Sequence, residues 1–227
     1  LDAETQRITT ALQVLAQSDA LRRGDLETFR RIANGYLREF DDDTILVLAD
    51  RDGRIILDSR GNVEPGGAGP GARRAHHSTV FETGRPEYSD LFYGTLSKRL
   101  LLTISVPVTR DGAVVYDLSI NPPLSLFQKL LESQTPGPAW TFSFFDQKGV
   151  NFARLPNPGE TVGKPASPTL LAELFKSREA SNTIGPNPTL LLPRSPVGMG
   201  WTMHFGRVVR FNNVHAAVKL QFRDVDS

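Results

Sequence analysis

Apolar residues recur along this chain with two periods, and the switches between them lay out its elements. Over residues 2–22, Ile8, Ala11, Leu12, Leu15 and Ala16 fall at helical spacing with Gln, Arg and Thr on the other face, which predicts an amphipathic helix. Gly24-Asp25 interrupts it. Asp25 is placed as the N-cap of a second helix carrying Leu26, Phe29, Ile32, Ala33, Tyr36, Leu37 and Phe40, and Asp41-Asp42-Asp43 ends the run. Together these segments cover about 38 residues, or roughly 55 Å if collinear. That length points to a stalk, a dimer contact or both; the alternative is two ordinary packed helices with a kink at Gly24.

The period then changes to that of strands. Ile45-Leu46-Val47-Leu48-Ala49 and Ile55-Ile56-Leu57-Asp58 flank a polar Asp50-Arg51-Asp52-Gly53-Arg54, a hairpin pattern in which glycine supplies positive φ. Phe142-Ser143-Phe144-Phe145-Asp146-Gln147-Lys148-Gly149-Val150-Asn151-Phe152 repeats it at a constant offset of 96 (146 − 50 for the aspartates, 149 − 53 for the glycines). One module is present twice.

After the first hairpin, residues 64–71 are too rich in glycine and proline for helix or central strand. Gly67-Ala68-Gly69-Pro70-Gly71-Ala72 fits a loose dinucleotide fingerprint but lacks the βαβ setting that gives the motif its mechanism. A short helix is expected over Ala72 to Glu82, then strands Leu100 to Val108 and Ala113 to Ile120 around a turn at Arg110-Asp111-Gly112. Pro122-Pro123 closes the module, and Leu124, Phe127, Leu130 and Leu131 predict a connecting helix. The second module starts near Gly137 and is expected to hold a helix around Leu170 to Phe175, a strand near Thr189 to Leu192 and a final strand Trp201 to Val208, with Val209 to Ser227 helical and leading outward.

The order of elements predicts an α+β fold: a long N-terminal helix followed by two tandem PAS-like modules, each a central antiparallel sheet flanked by helices. The expected divisions are 1–43 for the N-terminal stalk, 44–123 for the first module, 124–136 for the connecting helix, 137–210 for the second module and 211–227 for the exit segment.

Composition narrows the function. Lys and Arg number 26 against 25 Asp and Glu, so a net charge of +1 supplies no field for nucleic acid or an anionic membrane. With no cysteine there is no disulfide, thiolate metal site or cysteine nucleophile. No apolar run reaches the roughly 18 to 20 residues that span a bilayer, and the chain starts at Leu1, so it looks like a piece excised from a longer protein. Gly-x-Ser-x-Gly, His-Glu-x-x-His, P-loop and EF-hand patterns are missing, so no catalytic residue, cofactor or metal is expected. His76 and His77 are adjacent and therefore point to different faces, which argues against one metal. Asp50, Asp52 and Asp146 read as turn aspartates bonding their own backbone rather than as an acid–base pair.

The candidate pocket is the stretch Pro86-Glu87-Tyr88-Ser89-Asp90-Leu91-Phe92-Tyr93, followed by Lys98-Arg99 and the strand from Leu102 to Val108, where rings stand beside fixed charges. On the neighbouring strand, alternation puts Val115, Asp117 and Ser119 on one face, opposite Val114, Tyr116, Leu118 and Ile120. Burying Asp117 requires a cationic or hydrogen-bonding partner, which a ligand amine would supply; the alternative is that Asp117 faces solvent. The candidate ligand-binding residues are Tyr88, Asp90, Tyr93, Arg99, Thr103, Ser105 and Asp117, with Arg74 and His76.

The ordered set of long helix, Leu46 to Ile56 hairpin, Tyr88-Ser89-Asp90, Thr103 to Val108, Asp111 to Ile120 and a second shorter hairpin module resembles double-Cache sensor domains, the tandem PAS-like extracytoplasmic regions of bacterial transmembrane histidine kinases and chemoreceptors. The likeness covers nearly the whole chain and is greatest to the histidine-kinase branch. It implies a periplasmic sensor without catalytic activity, once bracketed by membrane helices, that binds a small molecule in its first, membrane-distal module and dimerises through its N-terminal helices. It also implies that Asp117 stands where amino-acid-binding members hold the ligand's amine, and Tyr88 at an aromatic pocket position. Where those members carry an arginine followed by Trp-Tyr, this chain has Arg73-Arg74-Ala75-His76-His77. That departure speaks against an amino-acid ligand, although Arg73, Arg74 or His76 remain placed to face a carboxylate. The rival readings are a chemoreceptor sensor, a cyclic-dinucleotide enzyme downstream, a soluble hydrolase or transferase using Asp90, His76 and Asp117, and a structural dimerisation module.

Overall fold

The computed structural model describes residues 2–40, 44–61, 75–94, 97–134, 140–155, 157–168, 171, 209–211 and 214–220, with the backbone alone at 2–3, 75–76, 134, 140–142, 209–211 and 214–220. The chain divides into two compact units, Leu1–Pro123 and Leu124–Ser227.

The first unit opens with a long helix, α1 (Asp2–Ala16), then α2 (Asp19–Arg23) and α3 (Leu26–Leu37). The expected collinear stalk is thus broken twice. Ser18 caps α2 through its hydroxyl, Gly24 ends it in the left-handed conformation at φ 73°, and Asp25 caps α3 by accepting the Thr28 N–H at 3.0 Å. Ile8, Leu12, Leu15 and Ala16 are buried, because their spacing lines one face of α1 and that face packs on the sheet behind it. Ile8 and Leu12 have no exposed surface, so each contributes about 1.5–3 kcal/mol of burial.

That sheet is antiparallel, in the order β2 (Ile55–Asp58), β1 (Ile45–Ala49), β7 (Ala113–Asn121), β6 (Ile104–Arg110), β3 (Glu87–Tyr88). A separate ribbon pairs β4 (Phe92–Tyr93) with β5 (Leu100–Leu101), and α4 (Ala75–Thr83) packs against β3, β6 and β7. The pairings Leu46 with Ile120, Leu48 with Leu118, Val106 with Leu118 and Ile104 with Ile120 gather one wholly apolar face. Tyr88 pairs with Ile104 and bonds Thr9 of α1 at 2.9 Å, which places α1 on this face. The other face carries Ser105, Pro107, Asp117, Ser119 and Asn121. Asp111 at φ 50° and Gly112 at φ 79° make the tight β6–β7 turn.

The second unit holds α5 (Leu124–Gln134), β8 (Trp140–Phe145), β9 (Asn151–Leu155), the short α6 (Pro158–Thr161), β10 (Val209–Phe211) and β11 (Val214–Leu220), with its sheet in the order β10-β11-β8-β9. Phe127 of α5 meets Phe152 edge-on at 5.3 Å, and Gln128 bonds both the N–H and the carbonyl of Arg154, tying α5 to β9. The expectation of helix over 209–227 is corrected here. Residues Val214 to Leu220 form a strand between β10 and β8, where hydrogen bonding across the sheet outweighs their weak helical pattern. The loop expected at 64–71, the helix at 170–175 apart from residue 171, and the strands at 189–192 and 201–208 lie outside the described residues.

The repeat is structural down to its turns. Asp50 Oδ1 accepts the N–H groups of Asp52 and Arg54, and Asp146 Oδ1 accepts those of Lys148 and Val150, each 96 residues on. Gly53 and Gly149 stand at φ 81° and 75°, and each first strand has its irregularity at the equivalent step, Leu48/Ala49 and Phe144/Phe145.

Candidate functional site

The polar face of the first sheet is buried, and most of its groups are paired. Ser89 accepts the Thr103 N–H at 2.8 Å, and Asn121 donates to the Thr103 hydroxyl at 2.6 Å and to the Leu102 carbonyl at 3.1 Å. At the centre of the face stands Asp117, 2% exposed, beside His77 of α4, 5% exposed. His77 Nδ1 lies 2.9 Å from Asp117 Oδ2, and the Ser105 hydroxyl donates to the same oxygen at a longer 3.4 Å. The His77 ring is held edge-on against Phe81, centroid to centroid 5.0 Å.

Two atoms of this pair are unsatisfied. Asp117 Oδ1 and His77 Nε2 are buried without a hydrogen-bond partner among the described residues. A buried polar atom left unpaired costs about 1–3 kcal/mol, so these two stand out in a face that is otherwise well bonded. Glu87 pairs with Ser105 across β3 and β6 and therefore shares this face; burial pushes its carboxyl above the ordinary range. Among the described residues no group of three metal-ligating side chains gathers here or elsewhere.

The sequence-predicted residues are distributed unequally around this centre. Asp117 and Ser105 meet directly, and Thr103 joins the same face through Asn121. The solvent-facing alternative for Asp117 is overturned, since the carboxylate is buried under α4. Tyr88 is directed to the opposite face, where it bonds Thr9. Tyr93 is 57% exposed on the β4–β5 ribbon and donates to the Lys98 carbonyl at 2.7 Å; Arg99 precedes β5 and Asp90 precedes β4, both half-buried. Arg74 and the side chain of His76 lie outside the described residues.

His77 is an imidazole that meets Asp117, and sequence reasoning passed over it. The signal was present: Val80 and Phe81 stand three and four residues on, so His77 shares their buried helical face.

No family model and no curated protein matches the chain by sequence. Solved structures do match. The ligand-binding domain of Mlp24 with asparagine aligns over 96% of this chain and 83% of its own at 14% identity and a TM-score of 0.63. The chain has the fold of receptor sensor domains. The V. cholerae histidine kinase DctB sensor domain aligns over 98% and 92% at 16% identity and a TM-score of 0.57. The ligand-binding domain of the Campylobacter jejuni chemoreceptor Tlp3, in complex with 4-methylisoleucine, aligns over 96% and 79% at 14% identity and a TM-score of 0.58. Kinase and chemoreceptor sensor domains thus share this α+β architecture of long N-terminal helix and antiparallel sheets. No described helix is long and apolar enough to cross a membrane.

Proposed function

We propose that the chain is the extracytoplasmic, non-catalytic sensor region of a bacterial transmembrane histidine kinase, and that its first unit binds a small molecule against Asp117. The observation that carries this reading is the buried carboxylate with an unpaired oxygen at the centre of the polar face, on a fold whose solved examples include ligand-bound sensor domains. A ligand that donates to Oδ1 beneath α4 is expected to fit one arrangement of α4 on β7 better than another. Occupancy therefore shifts the population toward that arrangement by the ligand's differential affinity for it. The two hairpin-built units support tandem PAS-like modules, and the outward-facing Val14 of α1, 67% exposed, leaves a surface for homodimerisation through the N-terminal helices. A chemoreceptor parent is the second reading, favoured by the likeness to Tlp3.

The test is a thermal-shift screen of amino acids, carboxylates, amines and purines, repeated with Asp117→Ala. A ligand at 100 times its Kd adds about 2.7 kcal/mol, enough to raise the melting temperature by several degrees. Stabilisation lost in Asp117→Ala supports the reading. A ligand whose effect survives that substitution refutes the site, and a library without any stabilising compound refutes the sensor role of the first unit.

A further inference from the structure

α4 covers Asp117, and the contacts that keep it there come from two directions. From beneath, Val80 and Phe81 are buried, His77 reaches Asp117 Oδ2, and the helix packs against β3, β6 and β7. A further contact comes from outside those three strands. The guanidinium carbon of Arg51, in the β1–β2 turn, stands 5.0 Å from the centre of the Phe81 ring, within cation–π range. The Phe81 ring in turn meets the His77 ring edge-on at 5.0 Å, because the two residues are one helical turn apart on the same buried face. Arg51, Phe81, His77 and Asp117 thus form a continuous run of contacts from an exposed turn to a buried carboxylate.

The turn does not need Arg51 for its own closure. Asp50 Oδ1 accepts the N–H groups of Asp52 and Arg54, the Gly53 N–H donates to the Asp50 carbonyl at 2.9 Å, and both turn carboxylates face the Arg54 guanidinium, at 3.9 and 3.8 Å. The second module closes the same turn with the same aspartate bonds around Gln147, an uncharged residue at the equivalent place (147 − 51 = 96). A cation at this position is therefore accounted for by the ring it touches. The hydrogen-bonded turn also gives that cation a firm base, so its hold on Phe81 resists lifting of α4.

We propose that Arg51 is a positioning residue: by clamping the Phe81 ring it holds α4 closed over Asp117, and so sets how often this buried face opens to a small molecule. That the face takes a ligand rests on Asp117 marking the binding site; the clamp itself does not. Opening lifts Phe81 away from the guanidinium, which then passes to water, so only the closed state gains the contact. For an exposed cation–π pair that gain corresponds to a factor of about two to five in the opening equilibrium.

Two measurements on Arg51→Gln, which keeps a polar side chain and removes the cation, read this opening. One is amide hydrogen exchange followed by mass spectrometry. The other is the rate at which diethyl pyrocarbonate, a small reagent, modifies His77, mapped by fragmentation to separate it from His76. The α4 amides are expected to exchange, and His77 to react, about two to five times faster than in the unaltered chain, with α1 and β8 amides unchanged. In Phe81→Leu the ring is gone, and adding Arg51→Gln is expected to change neither rate. Equal rates in Arg51→Gln and the unaltered chain, an acceleration shared by α1, or the same acceleration in the Phe81→Leu background overturns the clamp. Arg51→Gln alters an exposed side chain, so it decides the matter even if Phe81→Leu does not fold. Neither measurement contains a ligand. A negative result here leaves the Asp117 site standing, and failure of the Asp117→Ala screen leaves the clamp standing.

Discussion

Replacing His77 and Asp117 by alanine, singly and together, tests whether they act as one unit. In Asp117→Ala the Nδ1–H of His77 loses its acceptor inside the fold. In His77→Ala the carboxylate keeps only the 3.4 Å contact from Ser105. A hydrogen bond to a charged group is worth about 1.5–3 kcal/mol, and leaving the remaining buried group without its partner adds about 1–3 kcal/mol. His77→Ala also removes the edge contact with Phe81, about 0.5–1.5 kcal/mol. Each single change is expected to cost roughly 3–4 kcal/mol, and the double change about 4 rather than the 6–8 of simple addition, a coupling of about 2–4 kcal/mol. At about 2–4 °C per kcal/mol for a chain of this size, each single variant melts roughly 10 °C lower. All four tyrosines lie in the first unit and both tryptophans in the second, so tyrosine emission follows the unit that holds the pair. Costs that add to within about 0.5 kcal/mol would refute the coupling and with it the composite site.

The duplicated turn makes a second comparison. Asp146 is 1% exposed whereas Asp50 is half-buried, so Asp146→Ala is expected to cost about 2–3 kcal/mol and Asp50→Ala about 1, with water replacing the lost acceptor only at the latter; equal costs in urea denaturation would contradict this. Thr9→Val breaks the bond to Tyr88 on the apolar face and should cost about 1 kcal/mol without altering ligand affinity, and a change in affinity by calorimetry would return Tyr88 to the site. Glu87 has its carboxyl pushed up by burial, so the folded state holds this proton more tightly than the unfolded chain, and the stabilisation is present at low pH and lost as pH rises through the folded value. Glu87→Gln is therefore expected to raise the melting temperature near neutral pH and to have no such effect in acid, below the ordinary glutamate range; an equal gain at both pH values would refute the assignment.

The hairpins and their turns were legible in the sequence because their signals are local. An aspartate two and four residues before the N–H groups it accepts, and a glycine at positive φ, are fixed within one short segment. The same locality explains Asp25 as an N-cap and the alternation of β7 from Tyr116 to Ile120, whereas the irregularity at Val108/Thr109 pairs Val114 with Thr109 and breaks the expected alternation there. The site was legible only by halves. Strand parity put Asp117 and Ser119 on one face, but Tyr88 followed the parity of Ile104 to the other face, a consequence of β3 pairing with β6 that nothing near Tyr88 announces. His77 was missed because its partner lies 40 residues away. Strand formation by Val214 to Leu220 was missed for a related reason, since its neighbours in the sheet are β8 and β10 and its own seven residues do not alternate cleanly.

The two hairpins differ in side-chain size at the position beside Asp117. An offset of 96 carries Val47, Leu48 and Ala49 to Ser143, Phe144 and Phe145 (143 − 47), with the strand irregularity at the same step in both. Ala49 pairs with Asp117, so its methyl group lies on the face of the unpaired carboxylate oxygen, whereas its counterpart Phe145 is completely buried. The second module fills with a ring the position that the first leaves small. Ala49→Phe transplants that ring. In a close-packed site the added volume would cost about 1–3 kcal/mol or more, but beside Asp117 the ring enters the space assigned to the ligand, so the cost is expected at the low end, a fall of roughly 2–4 °C. The variant should then fold and lose the stabilisation that any bound compound gives the unaltered chain. Retention of the original affinity in Ala49→Phe would show that the ligand does not occupy the space beside Asp117, and would move the site off this face of the sheet.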